Sequence, residues 1–190
     1  MGIELRSVVV LYAIELLILI VSSIMGFYVG PYLISQSLMN ELRSELMSTV
    51  DLGPNFIFLH NLAIDTLMAI PIIGPLVFTI ALIMTGFILG TYVAFTTSSP
   101  IVLIPALVVT MFLPHGIIEL MAYAFSTTGS LVLTRKFVKA MRGAGSVTGN
   151  DLITLLIYYT ISIILLYVAA NIEYLEIIRL GSVIKGLVSG

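Results

Sequence analysis

One stretch near the start of the chain decides the fold class. Residues 7–30 read SVVVLYAIELLILIVSSIMGFYVG, and Glu15 is the only charged residue among them. About 20 apolar residues are enough for an α-helix to cross a hydrocarbon layer of roughly 30 Å. Because no small-residue cleavage signal follows, the stretch is interpreted as a retained membrane span and not as a leader peptide. Pro31 is expected to end this helix.

The composition of the whole chain is that of a membrane protein. Its 190 residues are 59% hydrophobic and 9% charged, with a mean hydropathy of +1.18. A soluble domain has about 45–50% apolar and about 25% charged residues. The long apolar runs lack the alternation of a β-barrel, so helices must satisfy the backbone hydrogen bonds in lipid. The predicted fold class is all-α, a polytopic membrane helical bundle, with residues 1–190 forming a single integral membrane domain.

Charge and cysteine content exclude several functions. The eight Lys and Arg residues are scattered and the formal net charge is −2, so the chain lacks the basic surface of a nucleic-acid-binding protein. Cysteine is absent, which excludes disulfides, thiolate nucleophiles and thiolate metal sites. The lipid bilayer is therefore the first predicted partner, and nucleic acid is not expected.

The rest of the chain divides into further helices. An apolar residue recurs every four positions at Ile34, Leu38, Leu42 and Leu46, which predicts an amphipathic helix outside the membrane over residues 33–50. Residues 56–70, 76–95 and 152–170 are predicted spans. The stretch 101–133 is too long for one span, and Pro114 is expected to divide it.

A re-entrant half-helix would then end near Phe112, and a full span would begin at His115. With the first helix, this gives about five spans, and the segment from Asn171 onward is expected to lie outside the membrane.

Positive residues predict the orientation. Arg135, Lys136, Lys139 and Arg142 precede the last span, and Arg6 flanks the first. Because cytoplasmic loops are enriched in Lys and Arg, both of these regions should be cytoplasmic. The prediction is a multi-pass protein of the cell membrane, with its N-terminus in the cytoplasm and its C-terminus outside.

Two glycine pairs indicate close helix packing. Gly26 and Gly30 are four residues apart, as are Gly86 and Gly90. Such spacing places both glycines on one helical face and lets another backbone approach. We expect the contact to lie inside the bundle.

A short motif at residues 114–119 is the most informative polar element. Pro114, Gly116 and the break between helices predict a hinge. His115 and Glu119 are four residues apart, so they share one helical face at membrane depth. They are expected either to hydrogen-bond to each other or to bind a proton, a cation or a divalent metal.

Further ionisable residues lie in other predicted spans. His60, Asn61 and Asp65 fall on one short stretch, and Glu15 is the buried acid of the first helix. If they converge with His115 and Glu119, the bundle has a polar intramembrane centre. Its function would be structural, or ion or metal binding, and the candidate metal ligands are His60, His115, Glu119 and Asp65.

Known catalytic signatures are missing from the sequence. It contains no His-Glu-x-x-His run and no Gly-Lys-Ser/Thr phosphate loop. Neither a zincin-like protease nor a self-powered transporter is therefore indicated, and no catalytic residue is assigned.

Three segments resemble the stage II sporulation protein M family of membrane proteins. They are FLHNL at 58–62, GFILG at 86–90 and, most specifically, PHGIIEL at 114–120, whose core is Pro-His-Gly-x-x-Glu. The resemblance implies a multi-pass protein of about five spans that is not itself known as an enzyme. In sporulating bacteria the family member works in a membrane complex with cell-wall hydrolases during engulfment, which implies protein partners.

The preferred hypothesis is a non-enzymatic scaffold or permease-like subunit of a membrane complex, with protein partners or as a homo-oligomer. One alternative is an intramembrane hydrolase that uses a divalent metal at His60, His115, Glu119 and Asp65. Another is a small channel or carrier that uses the same polar centre.

Overall fold

The chain is folded entirely into helices and turns over its described residues, and this confirms the predicted all-α class. A computed structural model describes residues 4–50, 52–97 and 99–188, with side chains for all of these except residues 43, 45–50 and 180–188. The helices are α1 (Leu5–Leu33), α2 (Gln36–Val50), α3 (Pro54–Ala69), α4 (Gly74–Thr97), α5 (Leu103–Phe112), α6 (Pro114–Met141) and α7 (Gly149–Val188).

Four of these helices are long and apolar enough to cross a membrane. They are α1, α4, α6 and the part of α7 from Gly149 to Arg179. Large apolar side chains stay exposed on their outer faces, among them Leu17, Ile80 and Leu156. Lipid accommodates such a surface, so these faces are those of a membrane-embedded bundle.

Helix α3 corresponds to the predicted span 56–70 but is shorter than the four long helices. Its 16 residues extend about 24 Å, less than a bilayer core of roughly 30 Å. The Ser130 hydroxyl donates to the carbonyl oxygen of Ile70 at 2.8 Å, and the amide of Ile72 donates to the Thr134 hydroxyl at 2.7 Å. The first half of α3 shares a cavity with His115.

Helix α3 and the turn after it therefore run alongside α6 from the level of His115 to that of Thr134. At about 1.5 Å per residue this stretch of α6 is about 28 Å long, close to the thickness of the hydrocarbon layer. Four described helices meet the length and hydropathy of a span, so the prediction of about five spans requires this short helix to cross as well.

Helices α1 and α4 pack in parallel through their glycine pairs. A Cβ atom added at Gly90 would lie 1.9 Å from the carbonyl oxygen of Ser23. One added at Gly26 would lie 2.0 Å from the carbonyl oxygen of Phe87. Only glycine lets the two backbones come this close, and van der Waals contact then holds the helices together.

The chain breaks before Pro114, where a break was predicted. Leu113 is extended, with φ −65° and ψ 153°, and Pro114 is the first residue of α6. A residue before proline prefers this conformation, and proline at the first helical position loses no hydrogen bond. The half-helix α5 has 10 residues, or about 15 Å, which is half of a bilayer core.

Two predicted helix ends are wrong. Pro31 lies inside α1, which continues to Leu33, because the fixed φ of proline is helical and the amide of Ile34 still donates to the carbonyl oxygen of Gly30 at 2.8 Å. The last helix does not end near Ala170 but continues through Val188. Beyond Ala170 its residues stay partly apolar, and its acidic residues Glu173 and Glu176 turn toward other helices instead of ending it.

Helix α2 only partly matches its predicted apolar face. Met39 is its buried residue, whereas Leu38 is 46% exposed. Ile34 and Leu42 are half-buried. The side chain of Leu46 lies outside the described residues.

Candidate functional site: a polar cavity inside the bundle

A cavity of about 450 Å³ lies within the bundle, and residues of six helices line it. Helices α1, α3, α4, α5, α6 and α7 all contribute, and neither Lys nor Arg is among the described lining residues. Its polar lining residues are His60, Asn61, Thr85, Thr110, His115, Glu119, Tyr123 and Glu173. The cavity can therefore hold a polar or cationic group within an otherwise apolar protein.

His115 lies in the first turn of α6 and is held by α7. Its Nδ1 atom contacts the Oε2 atom of Glu176, and both side chains are largely buried, at 15% and 20% exposure. The expected direct bond between His115 and Glu119 is not among the hydrogen bonds of the described residues. The reason is that α7 extends past Ala170 and brings Glu176 to the imidazole.

Glu119 lies one turn further along α6. Its Oε1 atom accepts a hydrogen bond of 2.9 Å from the hydroxyl of Tyr123, which is 6% exposed. Both side chains line the cavity. The two side chains therefore form a hydrogen-bonded carboxyl and phenol pair on the cavity wall.

Asp65 joins three helices beside the cavity. It is fully buried, and its two carboxyl oxygens accept hydrogen bonds from Ser126 on α6 at 2.5 Å and from Ser162 on α7 at 2.7 Å. A buried carboxyl needs such donors to offset the loss of hydration. Asp65 therefore has a structural function whatever else it does.

Glu15 is the exception among the buried acids. It is fully buried in α1, and neither of its carboxyl oxygens has a hydrogen-bond partner among the described residues. The carboxyl groups of Glu119 and Asp65 lie within electrostatic range of it. An acid in such a place is stable only when it carries a proton or lies beside a cation.

The predicted polar centre is thus divided into two zones. His60, Asn61, His115 and Glu119 line the cavity, whereas Glu15 and Asp65 lie in the adjacent packed interior. His60 is exposed and Asn61 is buried.

Sequence reasoning missed Tyr123, Ser126, Ser162, Glu173 and Glu176. Asp65 and Ser162 are 97 positions apart, and His115 and Glu176 are 61 apart, so no local pattern joins them. The sequence contains one indication of the two missed glutamates. Glu173 and Glu176 are three residues apart in a helix that is otherwise largely apolar, so they share one helical face.

The four candidate metal ligands do not form a ligand set. Within the described ranges, no three His, Asp or Glu side chains come close enough together to hold a metal ion. His60, His115 and Glu119 share the cavity wall, and Asp65 is engaged by its two serines.

Gly116 allows the chain to turn back at the break. A Cβ atom at this position would lie 2.1 Å from the carbonyl oxygen of Thr110. The first turn of α6 therefore packs directly on the last turn of α5, and this contact fixes the position of His115 at the cavity.

Comparison with known proteins identifies a family. The sequence model of the family described as stage II sporulation protein M matches residues 15–174, a range that includes every described residue of the cavity lining. No curated protein and no solved structure matches the chain significantly. Because the family match covers most of the 190 residues, this membrane protein belongs to the stage II sporulation protein M family.

Proposed function

We propose that this chain is a non-enzymatic, permease-like subunit of a membrane complex, and that its polar cavity binds a proton or a small cation. Glu15 is the observation that carries the proposal. A fully buried carboxyl group without a hydrogen-bond partner among the described residues, beside two further acids, needs positive charge or a bound proton. Ionisable groups at membrane depth mark ion and proton pathways in transport proteins.

The arrangement of the groups supports a path from the cavity mouth inward. His60 is exposed, and His115 is partly exposed beside Glu176. The pair of Glu119 and Tyr123 follows deeper in the cavity. Imidazole, carboxyl and phenol groups all take up and release protons, and the acids attract cations and repel anions.

Reconstitution into vesicles tests this proposal. The purified full chain is placed in vesicles that contain a pH-sensitive dye, and the dye reports proton entry after an external pH step in the presence of valinomycin and potassium. We expect entry above the rate of protein-free vesicles, and a loss of that excess in the Glu119→Gln and Glu15→Gln variants.

Glu41→Gln is the matched control. It changes the same functional group on the exposed surface of α2, outside the cavity lining, and should leave the flux unchanged. If wild-type vesicles are no more permeable to protons, sodium or potassium than protein-free vesicles at any protein-to-lipid ratio, the permease-like function is refuted.

We further propose that the protein is in the cell membrane with the N-terminus in the cytoplasm, the C-terminus outside, and other proteins or further copies of itself as partners. Arg6 and Arg135 line one groove, so the start of α1 and the end of α6 lie at the same end of the bundle, as this orientation needs.

Crosslinking in native membranes tests the association with protein partners or further copies of the chain. Capture of the monomer alone, under conditions that crosslink a known complex, would contradict it.

A further inference from the structure

A second groove lies on the outer surface of the bundle, between the first half of α1 and the last half of α6. Its volume is about 330 Å³. Two arginines line it, Arg6 from α1 and Arg135 from α6, and both are exposed. Most of the other lining residues are apolar, namely Val10, Leu11, Ile14, Leu131 and Val132.

The apolar and cationic parts of the groove occupy different depths. Helices α1 and α6 run antiparallel here, since Val8 packs with Ala124 while Glu15 is near Glu119. The arginines therefore mark one end of the groove, and the apolar residues follow deeper in the bilayer. Val10 is 50% exposed and Ile14 is 41% exposed, so the apolar part is open to lipid.

The charge of the cationic end is available to a ligand. Among the residues that the structure describes, neither Arg6 nor Arg135 forms an ion pair. Glu4 also lines the groove, and its carboxylate accepts a hydrogen bond of 3.0 Å from Ser7. Two guanidinium groups against one carboxylate leave the groove positive.

We propose that this groove binds an anionic phospholipid, with its phosphate between Arg6 and Arg135 and one acyl chain against Val10, Ile14 and Val132. Guanidinium groups bind phosphate oxygens through paired hydrogen bonds. Basic pockets between membrane helices on the cytoplasmic side are suited to anionic lipid head groups. The groove is separate from the polar cavity, so this inference does not rest on the proposed transport function.

The apolar part of the groove identifies the ligand as a lipid and not a free anion. A soluble phosphate would use only the arginines and would leave Val10 and Ile14 without a contact. A phospholipid uses both parts at once, because its phosphate lies at the interface while its acyl chains lie in the hydrocarbon layer.

Native mass spectrometry of the full chain in detergent micelles tests the proposal. The protein is titrated with dioleoyl phosphatidylglycerol and, in parallel, with dioleoyl phosphatidylcholine. We expect one molecule of phosphatidylglycerol to bind more tightly than phosphatidylcholine. The Arg6→Gln/Arg135→Gln double variant should weaken the binding of phosphatidylglycerol by about 30-fold, at about 1 kcal/mol for each basic residue.

Lys139→Gln/Arg142→Gln is the matched control. It removes the same charge from exposed positions at the same end of the bundle, outside the groove, and should leave the affinity unchanged. If both double variants weaken phosphatidylglycerol binding equally, the basic residues attract the lipid without a specific site, and the proposed site is overturned. Equal binding of phosphatidylglycerol and phosphatidylcholine would also overturn it. Displacement of the bound lipid by an equal concentration of glycerol phosphate would overturn the contribution of the acyl chain.

Discussion

The Nδ1 atom of His115 contacts the Oε2 atom of Glu176, which joins the first turn of α6 to the far end of α7. The contact lies at the break between α5 and α6, beside the packing of Gly116 on Thr110. It therefore positions one wall of the cavity, and it is the reason that α7 must stay helical beyond Ala170.

Removing this contact should destabilise the protein. We expect His115→Ala and Glu176→Ala each to lower the free energy of unfolding by about 1–3 kcal/mol, because each leaves a largely buried polar group without its partner. The measurement is the thermal denaturation midpoint in detergent. In the double variant the two losses should not add, with a coupling of at least about 0.5 kcal/mol. Simple additivity would mean that the two side chains do not interact in the folded protein.

The contact between α1 and α4 should tolerate no added methyl group. Gly90→Ala would place a Cβ atom 1.9 Å from a backbone oxygen, and backbone cannot move aside as a flexible side chain does. We expect a loss of stability of about 1–3 kcal/mol or more. Gly149→Ala is the control, because nothing lies within 4 Å of a Cβ atom at that helical position. Similar melting of the two variants would show that α1 and α4 are further apart than described.

The two serines bound to Asp65 should each contribute to stability. Ser126→Ala or Ser162→Ala leaves one carboxyl oxygen of a fully buried acid without its donor, at a cost of about 1–3 kcal/mol. Ser146→Ala, in the exposed loop before α7, should cost nothing measurable. If the Asp65→Asn variant and both serine variants melt at the wild-type temperature, the hydrogen bonds between Asp65 and the two serines do not stabilise the fold.

The sequence was informative where a local pattern decides the structure. The run 7–30 is apolar over more than a membrane thickness, Pro114 must break a helix, and glycines four apart must share a face. Each of these features depends on residues within one or two helical turns. Composition alone was enough for the all-α class, because lipid leaves the backbone few alternatives.

The polar centre was less predictable because its contacts join distant parts of the chain. Glu176 was placed outside the membrane from the polarity of the residues after Ala170, yet it holds His115. Ser162 is one of several hydroxyl residues in a largely apolar helix, and only the packing of α3 against α7 shows that it donates to Asp65. Pro31 differs from the prediction for another reason, since its fixed φ is helical and the hydrogen bond from Ile34 to Gly30 still closes the last turn.

The membrane topology can be tested cleanly because the chain contains no cysteine, so one introduced thiol is the only site for a maleimide. Four exposed positions mark the connections before individual helices. Leu52 precedes α3, Ile73 precedes α4, Ile101 precedes α5 and Ser146 precedes α7. If α3 crosses the bilayer beside α6, a membrane-impermeant maleimide added to intact cells should label the Leu52→Cys and Ile101→Cys variants. The Ile73→Cys and Ser146→Cys variants should react only after the membrane is permeabilised.

The comparison of Leu52→Cys with Ile73→Cys is decisive, since the turn at residues 70–73 lies beside Ser130 and Thr134, next to the cationic end of α6. Labelling of both variants from the same side would mean that α3 does not cross, and the chain would then have an even number of spans with both ends on one side.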